Sequence, residues 1–134
     1  MSETITYIES PNLSASALAA LFRSAGLRRP VDDQERLEAM IRHANLVVAA
    51  YADGQLVGVA RALTDFSYCC YLSDLAVAGS HQRRGIGREL VRRVRERIGE
   101  GSVLLLLSAP EAMDYYPLIG FEPITNGWMI RRTR

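Results

Sequence analysis

The sequence predicts one mixed α/β domain with a central, mostly antiparallel sheet, a parallel strand–helix–strand unit and about four helices. Three observations support this fold class. The chain has 134 residues, the size of one ordinary domain. Hydrophobic residues make up 49% of it and charged residues 23%, which is the balance of a globular protein. Two helical patterns precede a series of short, apolar, β-rich runs.

The N-terminal part is predicted to form a short strand and two helices. Residues 5–8 are β-like, and Ser14 stands at an N-cap position before apolar residues at helical spacing. Gly26 is a suitable end for that helix. Asp32 with Glu35 three residues later resembles a capping box, so a second helix is expected to start there. Both helices therefore precede the main sheet.

The middle of the chain is predicted to supply the strands. Residues 46–52 and 55–63 are apolar, β-rich runs. They are separated by Asp53-Gly54, a dipeptide that favours a two-residue hairpin turn, so antiparallel pairing is expected. A further strand follows over residues 68–77.

A strand–helix–strand unit comes next. Residues 86–98 repeat apolar side chains at helical spacing and carry arginines on the other face. Residues 103–107 form a continuous apolar run, which is typical of a strand buried on both faces.

The last part of the chain is predicted to form a short helix and a hairpin. Pro110 fits the first turn of the helix and Gly120 fits its end. Asn126-Gly127 is then expected to join residues 121–125 and 128–132 as paired strands.

Composition also narrows the protein class. Cys69 and Cys70 are neighbours whose side chains would point to opposite faces of a strand, so a bridge between them is not expected. The first ten residues carry Glu3 and Glu9 without the features of a signal peptide. No apolar run approaches the roughly 20 residues that a membrane span needs. We therefore expect a cytoplasmic protein with no membrane partner.

The chain contains sixteen basic residues, all of them arginine. Seven of these arginines concentrate between residues 83 and 97, which raises the alternative of a nucleic-acid-binding module. The formal net charge is only +1, and glutamates interrupt the run without aromatic residues for base stacking. We therefore expect no nucleic-acid partner.

The most informative segment is Gln82-Arg83-Arg84-Gly85-Ile86-Gly87-Arg88, where a predicted strand leads through glycines into a helix. A helix N-terminus presents unpaired backbone amides and the positive end of the helix dipole, which together suit a phosphate group. No Lys-Ser/Thr pair follows Gly85, which argues against a Walker A loop. Leu90 stands where the dinucleotide fingerprint has its third glycine.

This segment resembles the Q/R-x-x-G-x-G/A signature of the GNAT acetyltransferases, in which it holds the coenzyme A pyrophosphate. Residues 74–77 look like the fourth strand of that family, whose splayed backbone pairs with the pantetheine arm. Tyr116-Pro-Leu-Ile-Gly120-Phe121 resembles the family's Y-x-x-x-G-F element. Gly79 departs from the proline that many members have after the strand. The resemblance covers nearly the whole chain and implies a single acetyltransferase domain over residues 1–134.

The resemblance implies an acetyl-CoA-dependent N-acetyltransferase that acetylates an amine of a small molecule or peptide directly. It implies that Tyr116 protonates the coenzyme A sulfur, although Tyr115 could be the acid and Tyr116 could serve in packing. A backbone amide at Leu75 or Val77 would contact the acetyl carbonyl. The residues that the resemblance assigns to the coenzyme are Leu75, Ala76, Val77, Gln82, Arg83, Arg84, Gly85, Ile86, Gly87 and Arg88.

The general base stays open at this point. Strand alternation places Asp74 on the face opposite Ser73 and Leu75 unless a bulge intervenes. A water chain to Asp74 or Asp65 would serve, or the amine arrives neutral. His43 is expected on the exposed side of a helix and His81 in the phosphate loop, residues 78–88. Each is expected to be a surface residue or a loop contact and not a catalyst. No Cys/His cluster has the spacing of a metal site, so no metal is expected.

The acceptor also stays open, as does the length of the acyl group. It is expected to meet Arg28 and Arg29, the loop over residues 65–68 and the final hairpin. Within these parts Phe66, Tyr68 and Trp128 either line an apolar cleft or belong to the core. The alternative function is a catalytically silent coenzyme A-binding sensor or partner subunit of the same fold. A homodimer is compatible with the sequence.

Overall fold

The computed structural model, which describes residues 3–134 and leaves Met1 and Ser2 outside the description, contains a five-stranded mixed sheet and three α-helices. The predicted fold class is confirmed. In chain order the elements are β1 Ile5–Glu9, α1 Ala15–Ala25, α2 Gln34–His43, β2 Leu46–Ala52, β3 Gln55–Thr64, β4 Cys69–Val77, α3 Ile86–Ile98 and β5 Val103–Leu105.

Local signals place α1 and the β2–β3 hairpin where the sequence predicts them. The Ser14 hydroxyl accepts a hydrogen bond of 3.1 Å from the Ala17 amide, and Gly26 ends the helix with φ 72°. Asp53 and Gly54 both have positive φ, 50° and 78°. That is the conformation a two-residue turn needs to match the twist of the strands it joins.

The predicted cap of α2 is off by one residue. Asp33, not Asp32, accepts a hydrogen bond of 3.1 Å from the Arg36 amide and caps the helix. The Asp32 carboxylate instead lies 3.0 Å from an Nη atom of Arg23 on α1. Asp32 and Asp33 are both suitable capping residues by type. Because Asp32 pairs with Arg23, the cap is formed by Asp33.

The sheet runs in the order β1-β2-β3-β4-β5, antiparallel throughout except for the parallel pair of β4 and β5 that α3 connects. α3 packs its apolar face onto the sheet at Gly58. A Cβ atom at Gly58 would lie 3.0 Å from Ile86 and 3.2 Å from Leu90, so the helix can approach closely only because this residue lacks a side chain. The packing fixes the direction in which the N-terminus of α3 points.

The prediction of a strand buried on both faces over residues 103–107 is wrong. β5 stops at Leu105 and forms the edge of the sheet that the structure describes. Val103 is 60% exposed and Leu107 is 56% exposed. The apolar run therefore marks a strand with one uncovered side.

The predicted helix and hairpin at the end of the chain are also not found in this form. Residues 110–120 form two short 3₁₀ turns, Pro110–Ala112 and Tyr116–Ile119, of which the second ends at Gly120 with φ 98°. Residues 121–134 contain no strand in the structure, and Trp128 is 97% exposed. None of the helices within residues 3–134 has the length and apolar character needed to cross a membrane.

Candidate active site

A cleft opens where β4 and β5 diverge. Pairing between the two strands runs only from Cys69 to Tyr71, so residues 72–77 of β4 lack a strand neighbour on that side among the described strands. The cleft has a volume of about 1670 Å³, above the roughly 300–1,000 Å³ of typical small-molecule pockets. It therefore has room for an extended ligand along β4 and for a second ligand beside it.

One end of the cleft is formed by the loop that leads into α3. Arg83 and Gly85 adopt left-handed conformations, with φ 63° and 84°. The first two helices have side-chain caps, Ser14 and Asp33, whereas no described side chain caps α3. The Glu89 amide donates the first hydrogen bond of the helix, to the Gly85 carbonyl. The amides of α3 before Glu89 therefore have no partner within the helix. Unpartnered amides at a helix N-terminus suit an anion.

All but one of the residues predicted for the coenzyme line this cleft. The side-chain amide of Gln82 donates a hydrogen bond of 2.9 Å to the Val77 carbonyl and closes the turn between strand and loop. The exception is Arg84, whose Nη1 lies 3.1 Å from the Glu3 carboxylate. The residues that do line the cleft are Leu75, Ala76, Val77, Gln82, Arg83, Gly85, Ile86, Gly87 and Arg88.

Two adjacent tyrosines line the opposite wall. The Tyr115 hydroxyl lies 2.6 Å from the point where a Cβ atom of Gly87 would stand, so Tyr115 is next to the start of α3. The Tyr116 ring packs edge-on against Tyr115 and Phe121, with centroids 5.3 and 5.5 Å away. Tyr116 is the more buried of the two, and both face the space between the loop and β4.

Their charged surroundings differ. Burial raises the pKa of the Tyr116 hydroxyl above its usual value, Tyr115 raises it further and the positive charge of Arg29 opposes the shift. Burial also raises the pKa of Tyr115, and there the opposing charge is Arg88. Each hydroxyl therefore keeps its proton at neutral pH. Tyr115 belongs to the loop end of the cleft and Tyr116 to its centre.

A buried ion-pair cluster lies behind the centre of the cleft. Asp74 is fully buried, and its carboxylate accepts hydrogen bonds from Arg29 Nε at 2.5 Å and from Arg61 Nε. Arg29 also donates to the Ser73 carbonyl at 2.8 Å, and Arg61 donates to the Ser73 hydroxyl at 3.0 Å. A one-residue bulge at Ser73 shifts the register between β3 and β4 at this point. Sequence reasoning missed Arg61 altogether.

The contacts in this cluster bear on Asp74 as a candidate base. Alternation along β4 persists across the bulge, so Asp74 faces the core as predicted, whereas Leu75 and Val77 face the cleft. Both carboxylate oxygens accept hydrogen bonds from guanidinium groups, so Asp74 has a structural set of partners on the face opposite Leu75 and Val77.

Asp65 is excluded as a base by its own contacts. Its carboxylate caps the turn before β4 by accepting hydrogen bonds from the amides of Tyr68, Cys69 and Ser67. These amides lower the pKa of the Asp65 carboxyl to about 2. The residue lies at the opposite end of β4 from the loop and does not line the cleft.

The residues expected to meet the acceptor lie in different places. Arg28 and Arg29 line the cleft. Phe66, Tyr68 and Trp128 do not, and of the two alternatives for these aromatic residues Phe66 fits the second, because it packs against the core. The Phe66 ring lies 4.7 Å from the Arg97 guanidinium, whereas Tyr68 and Trp128 are exposed.

The two histidines occupy different surroundings. His43 is exposed at the end of α2. His81 lines the cleft, where its ring nitrogens lie 2.8 Å from the Glu3 carboxylate and 2.7 Å from the Ser80 hydroxyl. Within residues 3–134, no three His, Cys, Asp or Glu side chains are close enough together to hold a metal ion.

The cleft combines the uncapped N-terminus of α3 with the parallel strands β4 and β5, which diverge beside it. The chain belongs to the GNAT acetyltransferase family. The family model described as acetyltransferase (GNAT) domain matches residues 19–128, which include the phosphate loop, β4 and both tyrosines. Acetyl-CoA is the cosubstrate of this family.

Individual relatives agree with this assignment. The chain is 31% identical over 118 residues to a chloroplastic serotonin N-acetyltransferase 2 of rice, a match that covers 84% of this chain and 58% of the rice protein. A probable acetyltransferase from methicillin-resistant Staphylococcus aureus has the same fold, with a TM-score of 0.83, 22% identity and coverage of 96% and 100% of the two chains. An aminoglycoside N-acetyltransferase solved with CoA gives a TM-score of 0.73 at 17% identity, with 100% and 98% covered.

Proposed function

We propose that residues 1–134 act as one acetyltransferase domain that transfers an acetyl group from acetyl-CoA directly to an amine of a small molecule or peptide. The observation that carries the proposal is the meeting of three features in one cleft. These are the uncapped start of α3, the unpaired half of β4 and the proton-bearing hydroxyl of Tyr116.

The proposed coenzyme site uses backbone groups at the start of α3 and along the last residues of β4. The amides of Ile86, Gly87 and Arg88 would bind the pyrophosphate, assisted by the helix dipole and by the Arg83 side chain. The open edge of β4 over residues 75–77 would pair with the pantetheine arm as a strand does. Bound there, acetyl-CoA supplies the acetyl group as an activated thioester.

Tyr116 is proposed as the proton donor to the departing sulfur. Its raised pKa keeps the hydroxyl protonated, and Tyr116 lines the same cleft as β4 and Arg29. Tyr115 shares the wall but has its hydroxyl against Gly87, at the loop end. This difference favours Tyr116 over its neighbour. An amide of Leu75 or Val77 is proposed to polarise the acetyl carbonyl, the role of an oxyanion hole.

No protein base is assigned. Asp65 and Asp74 are both engaged in structural hydrogen bonds. We propose that the acceptor amine reacts in its neutral form, with its proton released to water. Under this scheme the rate rises with pH up to the pKa of the acceptor ammonium.

Thiol release with a panel of amines tests the reaction, and titration calorimetry with acetyl-CoA tests the binding. We expect acetyl-CoA to bind, and thiol to be released with at least one class of amine. Binding without release for every amine tested would favour the silent sensor or partner subunit. The rice relative's name points to a small aromatic amine as one class to include.

We also propose that two copies of the chain pair through the edge of β5. Val103 in β5 and Leu107 just after it are 60% and 56% exposed, and the outer edge of β5 lacks a partner among the described residues. Exposed apolar edges of this kind are a common interface. Light scattering after gel filtration would give twice the mass of 14.9 kDa, and Val103→Glu, which lies in β5 and outside the cleft, would return a monomer.

The cytoplasmic location remains a prediction. Cys69 and Cys70 are free thiols on opposite faces of β4, which suits a reducing compartment. Fractionation of the source cells followed by immunoblotting would test it.

A further inference from the structure

The half of the cleft that faces away from the phosphate loop is rich in arginine. It is formed by the α1–α2 connection, by α2 and by residues 71–73 of β4. We call four of its basic residues the acceptor arginines; they are Arg28, Arg29, Arg36 and Arg61. Since the coenzyme is placed along residues 75–88, this half of the cleft is where the acceptor amine would enter.

Two of the acceptor arginines carry two positive charges, and the protein supplies one negative charge to neutralise them. Arg29 and Arg61 share the single carboxylate of Asp74, so the buried cluster has one guanidinium charge in excess. All three nitrogens of each guanidinium donate hydrogen bonds to protein groups. The excess charge is therefore held in place beside the cleft.

The other two acceptor arginines have their side chains free. Arg28 and Arg36 are exposed and make no side-chain hydrogen bond or ion pair with the residues that the structure describes. By contrast, Arg23 on the outer side of α1 is paired with Asp32. Arginine's planar fork binds carboxylate and phosphate groups with two parallel hydrogen bonds.

Among the described residues, no nearby carboxylate forms an ion pair with Arg28 or Arg36. Asp33 uses its carboxylate to cap α2, and Glu35 borders a small cavity beside Arg36 without forming an ion pair with it. Glu111 lines the other wall of the cleft. Two more arginines, from the C-terminal segment, line the same cleft; they are Arg132 and Arg134.

From this charge distribution we infer that the acceptor is an amine that also carries an oxyanion group, a carboxylate or a phosphate, which Arg28 and Arg36 bind. The inference rests on the proposed function and narrows its substrate class. A polycationic acceptor would be repelled from the same place.

The same charges account for a site without a protein base. A positive environment disfavours the ammonium form of a nearby amine and so lowers its pKa. The oxyanion group fixes the acceptor, while the excess charge of Arg29 and Arg61 promotes release of the amine's proton before reaction. Both effects depend on the arginines, and the carboxylate among the described lining residues, Glu111, lies on the other wall of the cleft.

The test uses pairs of acceptors with and without the anionic group, and kcat/KM is expressed per neutral amine because that group also changes the pKa of the amine. Suitable pairs are phenylalanine with its carboxamide, 5-hydroxytryptophan with serotonin, and phosphoethanolamine with ethanolamine, and an aminoglycoside represents polycations. Thiol release should give kcat/KM values that are roughly ten- to a hundredfold higher for the anionic member, the range of one charge-assisted hydrogen bond. The carboxylate and phosphate pairs show which oxyanion is preferred.

Variants assign the preference to its residues. Arg28→Gln and Arg36→Gln should each reduce kcat/KM for the anionic acceptors about tenfold more than for the matched amines that lack the anionic group. Arg36→Glu should reverse the preference. Arg42→Gln is the matched control, because Arg42 is exposed on α2 but does not line the cleft.

A binding measurement separates this inference from the proposed function. The N-acetylated anionic product and its amide are titrated into the CoA-loaded protein by calorimetry, which needs no turnover. Tighter binding of the anion that is lost in Arg36→Glu supports the inference even if no amine is acetylated. Turnover of amines with no preference for an anionic group, or a preference for the aminoglycoside, would overturn the inference and leave the acetyltransferase intact. Failure of the anion to bind more tightly than its amide would also overturn it.

Discussion

Asp74→Asn tests whether the buried cluster is structural. The substitution keeps the size of the side chain but removes the charge that neutralises Arg29 and Arg61. The Asp74 side chain is fully buried and Arg61 is 7% exposed, so neither is well screened by water. Removing one partner of a buried pair costs about 3–5 kcal/mol. For a domain whose total stability is about 5–15 kcal/mol, this is a large fraction of the free energy of unfolding.

Urea unfolding followed by circular dichroism measures the effect, and Asp32→Asn is its control. Asp32 also pairs with an arginine, Arg23, but the two side chains are 95% and 55% exposed. Exposed pairs contribute at most about 1 kcal/mol, so the control should unfold nearly as the unmodified protein does. The double variant Asp74→Asn/Arg61→Met should regain part of the lost stability, because one of the two buried guanidinium groups is gone.

Two results would refute this reasoning. If Asp74→Asn lost no more stability than Asp32→Asn, the cluster would not be the buried, mutually dependent unit described above. If it kept its stability but lost turnover with every amine, Asp74 would be a catalytic base instead of a structural carboxylate.

The remaining predictions concern the two tyrosines, Gly87 and Asp65. Tyr116→Phe should lower kcat roughly ten- to a thousandfold with little change in acetyl-CoA affinity, in steady-state assays and calorimetry; a rate loss in Tyr115→Phe instead would assign the proton donor to Tyr115. Gly87→Ala should weaken acetyl-CoA binding because its Cβ would lie 2.6 Å from the Tyr115 hydroxyl, and Tyr115→Phe should restore binding if that clash is the cause. The pKa of Asp65 falls from 3.8 to about 2 on folding, so its stabilising effect is present above pH 4 and is lost as the pH falls through 2. Thermal unfolding of Asp65→Asn should therefore differ from that of the unmodified protein at pH 6 and converge with it near pH 2; a difference that does not change with pH would contradict the capping role.

The elements that sequence predicted best have local signals. The caps of α1 lie within or next to the helix, and the Asp53-Gly54 turn depends on the φ preferences of two residues. The phosphate loop is equally local, since its strand, glycines and helix are contiguous. These features could be predicted from the sequence without knowledge of the residues that pack against them.

The errors share a dependence on distant partners. Whether β5 is buried on both faces depends on what lies beside it, and an apolar run contains no such information. The predicted final hairpin has a suitable turn, but a hairpin also needs a surface to pack on. At α2, Asp32 and Asp33 are equivalent by type, and Arg23 on another helix decides between them.

The cluster of Arg29, Arg61 and Asp74 could have been found only in part. Its members are 45 and 13 residues apart along the chain. Arg61 and Asp74 are single charges in otherwise apolar strands that the hairpin pattern makes neighbours, which was a usable signal for their pairing. Nothing in the sequence placed Arg29 beside Asp74, because Arg29 comes from a connection between two helices.

Two-dimensional NMR with added acetyl-CoA tests the central claim most directly. On a protein labelled with ¹⁵N, we predict that the largest shifts occur at the amides of Ile86, Gly87 and Arg88, with a second group at Leu75 and Val77 on the open edge of β4. Shifts at both places would locate the coenzyme as proposed. Tight binding with shifts elsewhere, or no binding at millimolar acetyl-CoA, would contradict the account.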